Sequence, residues 1–238
     1  MKTQLNNISQ LNICPIDHID ILNGRMLRIR QATTDIKRAT ANNCGTLIRC
    51  GMQRGKEQTV FNILSEILPI NSWVDLRTPE EYEPQFNGYH FPASTKYLNR
   101  PIRFKPPENN LTHIVTESDY IDLYFTMSHT AWTIAQEVAE LLHTGNVVLH
   151  CSLGKDRTGL VTAATLHQFQ FSDINIAHDF GLSARFLRRQ YQLIQDKAKR
   201  NGVPNHLQAR RYELSEKTIV PVLNEWTNII KRSRNKHD

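Results

Sequence analysis

No stretch of this chain approaches the roughly 18 consecutive apolar residues that a bilayer-crossing helix needs, which excludes an integral helical membrane protein. Met1 to Pro15 lack the basic start and apolar core of a secretory signal. A cytoplasmic protein is therefore expected, with an effector exported without a cleaved signal as the alternative. Cysteine is scarce: there are 4 in 238 residues, without paired metal spacing, so no disulfide and no structural zinc are expected and no metal or cofactor is called for. Charge of one sign does not dominate either. A formal net charge of +6 suits a phosphate-ester substrate, and would serve nucleic acid equally, so it supports the first without selecting it. What is present, 39% hydrophobic and 22% charged residues, is ample for one sizeable core. The expected layout is a polar arm over residues 1–20, one α/β domain over 21–231 with a helical addition, and a frayed basic tail over 232–238.

The most informative stretch is NVVLHCSLGKDRTGL, residues 146–160. Val147 to Leu149 form an apolar, β-branched run, and a helical pattern follows from about Thr158. A strand that feeds through a tight Gly-containing turn into a helix leaves several N–H groups pointing inward, which makes an anion site before any side chain is counted. Five residues separate Cys151 from Arg157, a spacing that wraps a loop of Ser152, Leu153, Gly154, Lys155 and Asp156 round a tetrahedral oxyanion. Arg157 then closes the loop with a planar donor pair, and the Cys151 sulfur sits at its floor. A thiolate there is expected to have a lowered pKa and to attack phosphorus. The Thr158 hydroxyl is placed to donate to that sulfur. Cys14, Cys44 and Cys50 read as small inert hydrophobes.

His150-Cys151-Ser152-Leu153-Gly154-Lys155-Asp156-Arg157-Thr158-Gly159 resembles the H-C-x-x-G-K-D-R-T-G signature of the atypical, microbial-type tyrosine and dual-specificity phosphatases of the cysteine-dependent phosphatase superfamily. The resemblance implies a central, mostly parallel twisted sheet flanked by helices, with extra C-terminal helices. Two further segments carry it. Asp75-Leu76-Arg77-Thr78, followed by Glu80 and Glu81, resembles the family's D-L-R-x-x-x-E block, and Ile174 to Ser183 resembles its I-x-x-D-Y-x-L-S segment. Asp75 and Arg77 are expected to pair with each other or to brace the phosphate loop. The resemblance implies that Asp179 and Ser183 lie beside the loop, with Asp179 supporting its backbone or Arg157. Asn23-Gly24-Arg25 and Leu47-Ile48-Arg49-Cys50-Gly51 are looser counterparts of two N-terminal family segments, and Arg25 receives no role.

Along the chain, residues 21–31 alternate around Asn-Gly as a hairpin or edge strand. Glu57 to Leu68 read as a helix ended by Pro69, Trp73 to Arg77 as a strand, and Thr78 to Glu81 as a capped turn. Residues 84–117 form a long connection with strand remnants at Pro101-Ile102 and Phe104. Residues 119–142 read as two helices broken near Ser128, and Thr158 to Phe169 as the helix facing phosphate. Further helices begin at Phe171-Ser172-Asp173 and span 213–231. The basic residues among 184–202, Arg185, Arg188, Arg189, Lys197, Lys199 and Arg200, form either a solvated face or a rim that attracts acidic phosphopeptides or, weakly, anionic membrane surfaces.

Better-known cysteine phosphatases place the general acid on a movable W-P-D loop, and no such sequence is present. Resemblance to G-K-D-R members therefore assigns that role to Asp156, with Asp119 and Asp122 as alternatives. His150 is expected to orient the cysteine loop. Lys155 is expected at the pocket mouth, where the resemblance links a basic residue to phosphoinositides. The leading reading is metal-independent hydrolysis of phosphotyrosine proteins, extending to phosphoserine and phosphothreonine. A lipid phosphatase, a silent phosphoprotein-binding domain and a rhodanese-like sulfur carrier are the competing readings. Partners are thus phosphorylated proteins or phosphoinositides, not nucleic acid or metal.

Overall fold

The computed structural model describes residues 12–16, 21–28, 44–52, 55–81, 90–103, 117–187 and 216–234. Strands β1 (Asn12–Pro15), β2 (Ile21–Arg28), β3 (Thr46–Met52), β4 (Ser72–Asp75), β5 (Lys96–Asn99) and β6 (Val147–Cys151) form one twisted sheet in the order β1-β2-β3-β6-β4-β5. Strands β3, β6, β4 and β5 run parallel, and β1 and β2 add an antiparallel flank. Parallel strands covered on both faces need near-continuous apolar runs. Accordingly, every residue of β4 and β6 is buried.

Side chains alternate between two layers, as the strand period of two requires. Ile48, Cys50, Trp73 and Val148 pack against Val60, Phe61 and Leu64 of α1 (Glu57–Ile67). Leu47, Val147, Leu149 and Cys151 face the larger layer, built from α2 (Glu117–Thr144), α3 (Asp156–Gln168), α4 (Asp173–Phe186) and α5 (Val220–Arg234). Among the described residues, no helix is long and apolar enough to cross a membrane.

Several local expectations are corrected. Residues 12–15, within the segment read as an arm, form β1. Strand β2 is neither a hairpin nor an edge, since it lies between β1 and β3. Its Asn-Gly pair forms a bulge, with the register shifting between Leu22 and Arg25 and Asn23 in the left-handed region at φ 52°. Helix α2 runs unbroken past Ser128. Met127, Ala131, Ile134 and Ala135 carry its buried stripe beside that position, and the Ser128 hydroxyl donates to Phe125 O at 2.8 Å. A serine costs a helix only a few tenths of a kcal/mol, roughly, which packing of this stripe outweighs. The strand of the long connection is β5 at 96–99, while Ile102 enters the core as a loop residue and Phe104 lies outside the described residues. The strand read over Trp73 to Arg77 is β4 at Ser72–Asp75, so Leu76 and Arg77 lie beyond its end. Of the basic segment only Arg185 is described, in the last turn of α4; Arg188, Arg189, Lys197, Lys199 and Arg200 lie outside.

Candidate active site

Strand β6 delivers Cys151, 3% exposed, to the C-terminal edge of the sheet between β3 and β4, and α3 begins five positions later at Asp156. Two glycines let the intervening loop lie against β3. A Cβ on Gly154 (φ +66°) would sit 2.4 Å from backbone atoms of Cys50 and Gly51, and one on Gly51 would sit 2.4 Å from Leu153 C. Loop carbonyls are turned outward and held. Ser152 O accepts from Met52 N at 3.0 Å, and Gly154 O accepts from Asn23 Nδ2 at 2.6 Å and Arg49 Nη2 at 2.9 Å. Because a trans peptide sets C=O and the next N–H in opposite directions, the N–H groups of Leu153 and Lys155 point the other way, into the loop. The first N–H groups of α3 join them.

Behind the loop lies a buried clamp. Asp179 on α4 accepts from Arg25 Nε at 3.0 Å and from Arg49 Nη1, and Arg25 also reaches Asn23 Oδ1 and Asp179 O. Ser183 Oγ accepts from both arginines, at 3.3 and 3.2 Å. Burial would raise the Asp179 carboxyl, but the two guanidiniums hold it below its ordinary value. Burial and neighbouring Arg49 together lower Arg25 to about 10. Two guanidiniums against one carboxylate leave one positive charge behind the loop. Arg25, given no role by the sequence, is thus part of the site's support.

In front, Arg157 forms a fork with Glu81. Nη1 lies 2.5 Å from Oε2 and Nη2 2.6 Å from Oε1, and Nη1 also donates to Leu76 O at 3.2 Å. Ser152 Oγ donates to Glu81 Oε1 at 3.1 Å. Burial alone would depress Arg157, yet its bonds to Glu81, with Cys151 and Asp156 nearby, push it above the ordinary arginine value. Burial likewise opposes the Glu81 carboxylate, and Arg157 and the Thr78 N–H pull its pKa down. Glu81 is placed by a reciprocal cap: Thr78 N donates to Glu81 Oε2 and Glu81 N to Thr78 O, both at 2.9 Å, with Pro79 opening the 3₁₀ turn Pro79–Glu81. Glu81 carries no assigned role in the sequence pattern, and the structure gives it one as the partner of Arg157. The final E of the D-L-R-x-x-x-E block was the signal.

Asp156, at the first position of α3, accepts a hydrogen bond on Oδ1 from Tyr124 Oη at 2.7 Å. Lys155 does not reach the mouth of the pocket. It is 2% exposed, its ammonium 4.8 Å from the centre of the Tyr120 ring and 3.3 Å from Asp156 Oδ1. Asp122 is exposed and Asp119 half-buried in the first turns of α2, on which Tyr120 and Tyr124 supply the contacts to the loop.

The other expected residues sit further back. Asp75 and Arg77 pair with each other, with Arg77 Nη1 also donating to Glu57 Oε1 at 2.8 Å. Between them, Leu76 N donates to His150 O at 2.9 Å. His150 points to the sheet face opposite Cys151, where its Nε2 accepts from Trp73 Nε1 at 2.8 Å and lies 3.6 Å from Asp75 Oδ2. Burial lowers His150 to about 4, so it is neutral near pH 7. Burial would raise Asp75, and His150 and Arg77 lower it; with His150 neutral, the Arg77 fork carries that shift near neutrality. Thr158 Oγ1 is buried with no hydrogen-bond partner and so does not donate to the sulfur in this state. All four cysteines are free. No group of three or more His, Cys, Asp or Glu side chains among the described residues could hold a metal ion.

Nine chains among solved structures are similar to this one, TpbA and OH1 among them. TpbA of P. aeruginosa shares 15% identity over 76% of this chain and 91% of its own, with a TM-score of 0.28. OH1 of the Orf virus, described as a tyrosine phosphatase with triple substrate specificity, shares 12% identity over 74% and 82%, also with a TM-score of 0.28. No curated protein sequence matches significantly. Residues 32–231 match the tyrosine phosphatase family over a span that holds the Cys151 loop, Glu81 and Asp179, and the chain belongs to that family.

Proposed function

We propose that this protein hydrolyses phosphomonoesters through a phosphocysteine on Cys151, with phosphotyrosine proteins as substrates and phosphoserine and phosphothreonine within reach. The observation that carries this reading is the Glu81 fork on Arg157, facing a loop whose carbonyls are tied outward. Such a fork presets the guanidinium plane, so little reorganisation is needed as charge spreads over the phosphoryl oxygens. In the first step the Cys151 thiolate forms an S–P bond as the P–O ester bond breaks. The departing electron pair stays on the ester oxygen, which takes the proton of Asp156. In the second step the Asp156 carboxylate takes a proton from water as the water oxygen attacks phosphorus, and the S–P electrons return to sulfur. The orphan Thr158 hydroxyl is a donor suited to that returning thiolate.

Phosphoinositides were favoured by a lysine at the pocket mouth and by the basic residues among 184–202; the burial of Lys155 under α2 weakens the first support, and of the second only Arg185 lies among the described residues. Protein phosphoesters are therefore preferred over inositol lipids. The test is a panel of phosphopeptides and phosphoinositides in reductant with chelator, comparing wild type with Cys151→Ser and Asp156→Asn. Cys151→Ser should bind inorganic phosphate without turnover, and Asp156→Asn should lose more on alkyl than on aryl esters. Turnover by Cys151→Ser would overturn the phosphocysteine. Faster turnover of phosphoinositides than of phosphopeptides would overturn the substrate class.

A further inference from the structure

We infer that Tyr124 is a positioning residue for the proton-transferring carboxyl, fixing Asp156 so that Oδ2, and not Oδ1, carries the exchangeable proton. The inference rests on the reading of Asp156 as acid and base and adds to it a residue that no motif contains. Tyr124 is fully buried on α2, and its hydroxyl donates to Asp156 Oδ1 at 2.7 Å. Its ring is confined on two sides, edge-on to Phe180 at 5.6 Å and tilted against Tyr120 at 6.1 Å. Phe180 is in turn pressed against Gly159, where an added Cβ would lie 2.9 Å from the ring. The hydroxyl is thus fixed in space by packing that does not depend on the loop's occupant.

Lys155 approaches the same oxygen, 3.3 Å from Oδ1, and is itself buried over Tyr120. An oxygen that accepts from a phenol and faces an ammonium is a poor place for a proton, so protonation falls on the other oxygen. The Asp156 side chain is 16% exposed, while Lys155 is 2% exposed, so the donors lie on the inner side of the carboxyl. Helix α2 therefore dictates which oxygen gives its proton to the leaving group and later receives one from water. A carboxyl free to rotate would spend part of its time with the proton turned inward.

The test compares wild type, Tyr124→Phe, Asp156→Asn and the double variant on phenyl phosphate, a poor leaving group, and p-nitrophenyl phosphate, a good one. Tyr124→Phe keeps the ring and its packing. It should lower kcat on phenyl phosphate about tenfold, with KM unchanged and p-nitrophenyl phosphate little affected. In the Asp156→Asn background it should add nothing, because the group it positions no longer carries a proton. Lys155→Met, which removes the other group at Oδ1, must show the same leaving-group signature and serves if Tyr124→Phe does not fold. Equal loss on both esters, or additive losses in the double variant, would overturn the role of Tyr124 alone. Should Asp156→Asn itself show no leaving-group dependence, the acid assignment falls, and this inference with it.

Discussion

Two carboxylates hold the phosphate loop, and they do so in opposite ways. Glu81 meets one arginine, Arg157, in a fork on a short 3₁₀ turn, with about a third of its side chain exposed (32%). Asp179 meets two, Arg25 and Arg49, inside the fold with 2% of its side chain exposed. The front pair neutralises one charge with one and fixes the direction of the Arg157 guanidinium. The rear cluster keeps a net positive charge and acts through Gly154 O, shaping the loop without approaching its contents. Orientation of a functional arginine can be delegated to a partly solvated residue, whereas shaping the backbone required burial and several simultaneous bonds.

Substitution should separate the two by what is lost. Asp179→Asn leaves two buried guanidiniums facing one neutral amide and should cost about 3–5 kcal/mol of stability. Urea unfolding measures this, and a loss under 1 kcal/mol, roughly the worth of a surface pair, would erase the distinction. Arg157→Lys replaces the planar fork with a point charge and should lower kcat/KM about 10²- to 10³-fold with a small change in unfolding midpoint.

Acid titration sharpens the contrast. Glu81 and Asp179 both have pKa values below the ordinary carboxylate range, so their stabilisation is intact above that range and is lost only as pH falls through the lowered values. A loss of stability between pH 6.5 and 4 belongs instead to buried histidine. His150 stays neutral down to about 4 while the unfolded chain takes up its proton near the ordinary histidine value of 6.5. The unfolded state then binds more protons, so stability falls with pH by about 3 kcal/mol across that window. His150→Asn, which keeps an acceptor for Trp73, should flatten most of the slope; His167, also lowered by burial, accounts for a remainder. An unchanged slope would mean that His150 is not buried neutral. Glu81→Gln is expected to have the smallest effect, about tenfold in kcat/KM with the fold intact. If it instead unfolds the protein as Asp179→Asn should, front and rear are one structural unit.

The loop from Cys151 to Arg157 was legible because its meaning is local: an apolar strand, a glycine turn and a helix start are written within 15 residues. The place of Asp179 near the loop was legible through its own motif, but its partners were not: it meets Arg25 and Arg49 instead of the loop backbone or Arg157. The partners that complete the site were not, since Glu81 lies 76 positions from Arg157 and Asn23 lies 131 from Gly154. Arg25 resembled a strand residue in a poor motif match, and a bulge at Asn23-Gly24 set its place beside Asp179. Lys155 was misplaced for a related reason. A lysine in a phosphate loop has two directions open to it, and the aromatic face of Tyr120, on a helix that looked broken, decided between them.

The sequence alone therefore singled out Cys151, Arg157 and the strand-turn-helix that joins them, because a pattern at this spacing needs only adjacent residues. Tertiary structure decided which carboxylate orients Arg157, which arginines shape the loop and where Lys155 points. Those choices depend on contacts between elements far apart in the chain, whose energies are realised only when the sheet and α2 pack around β6.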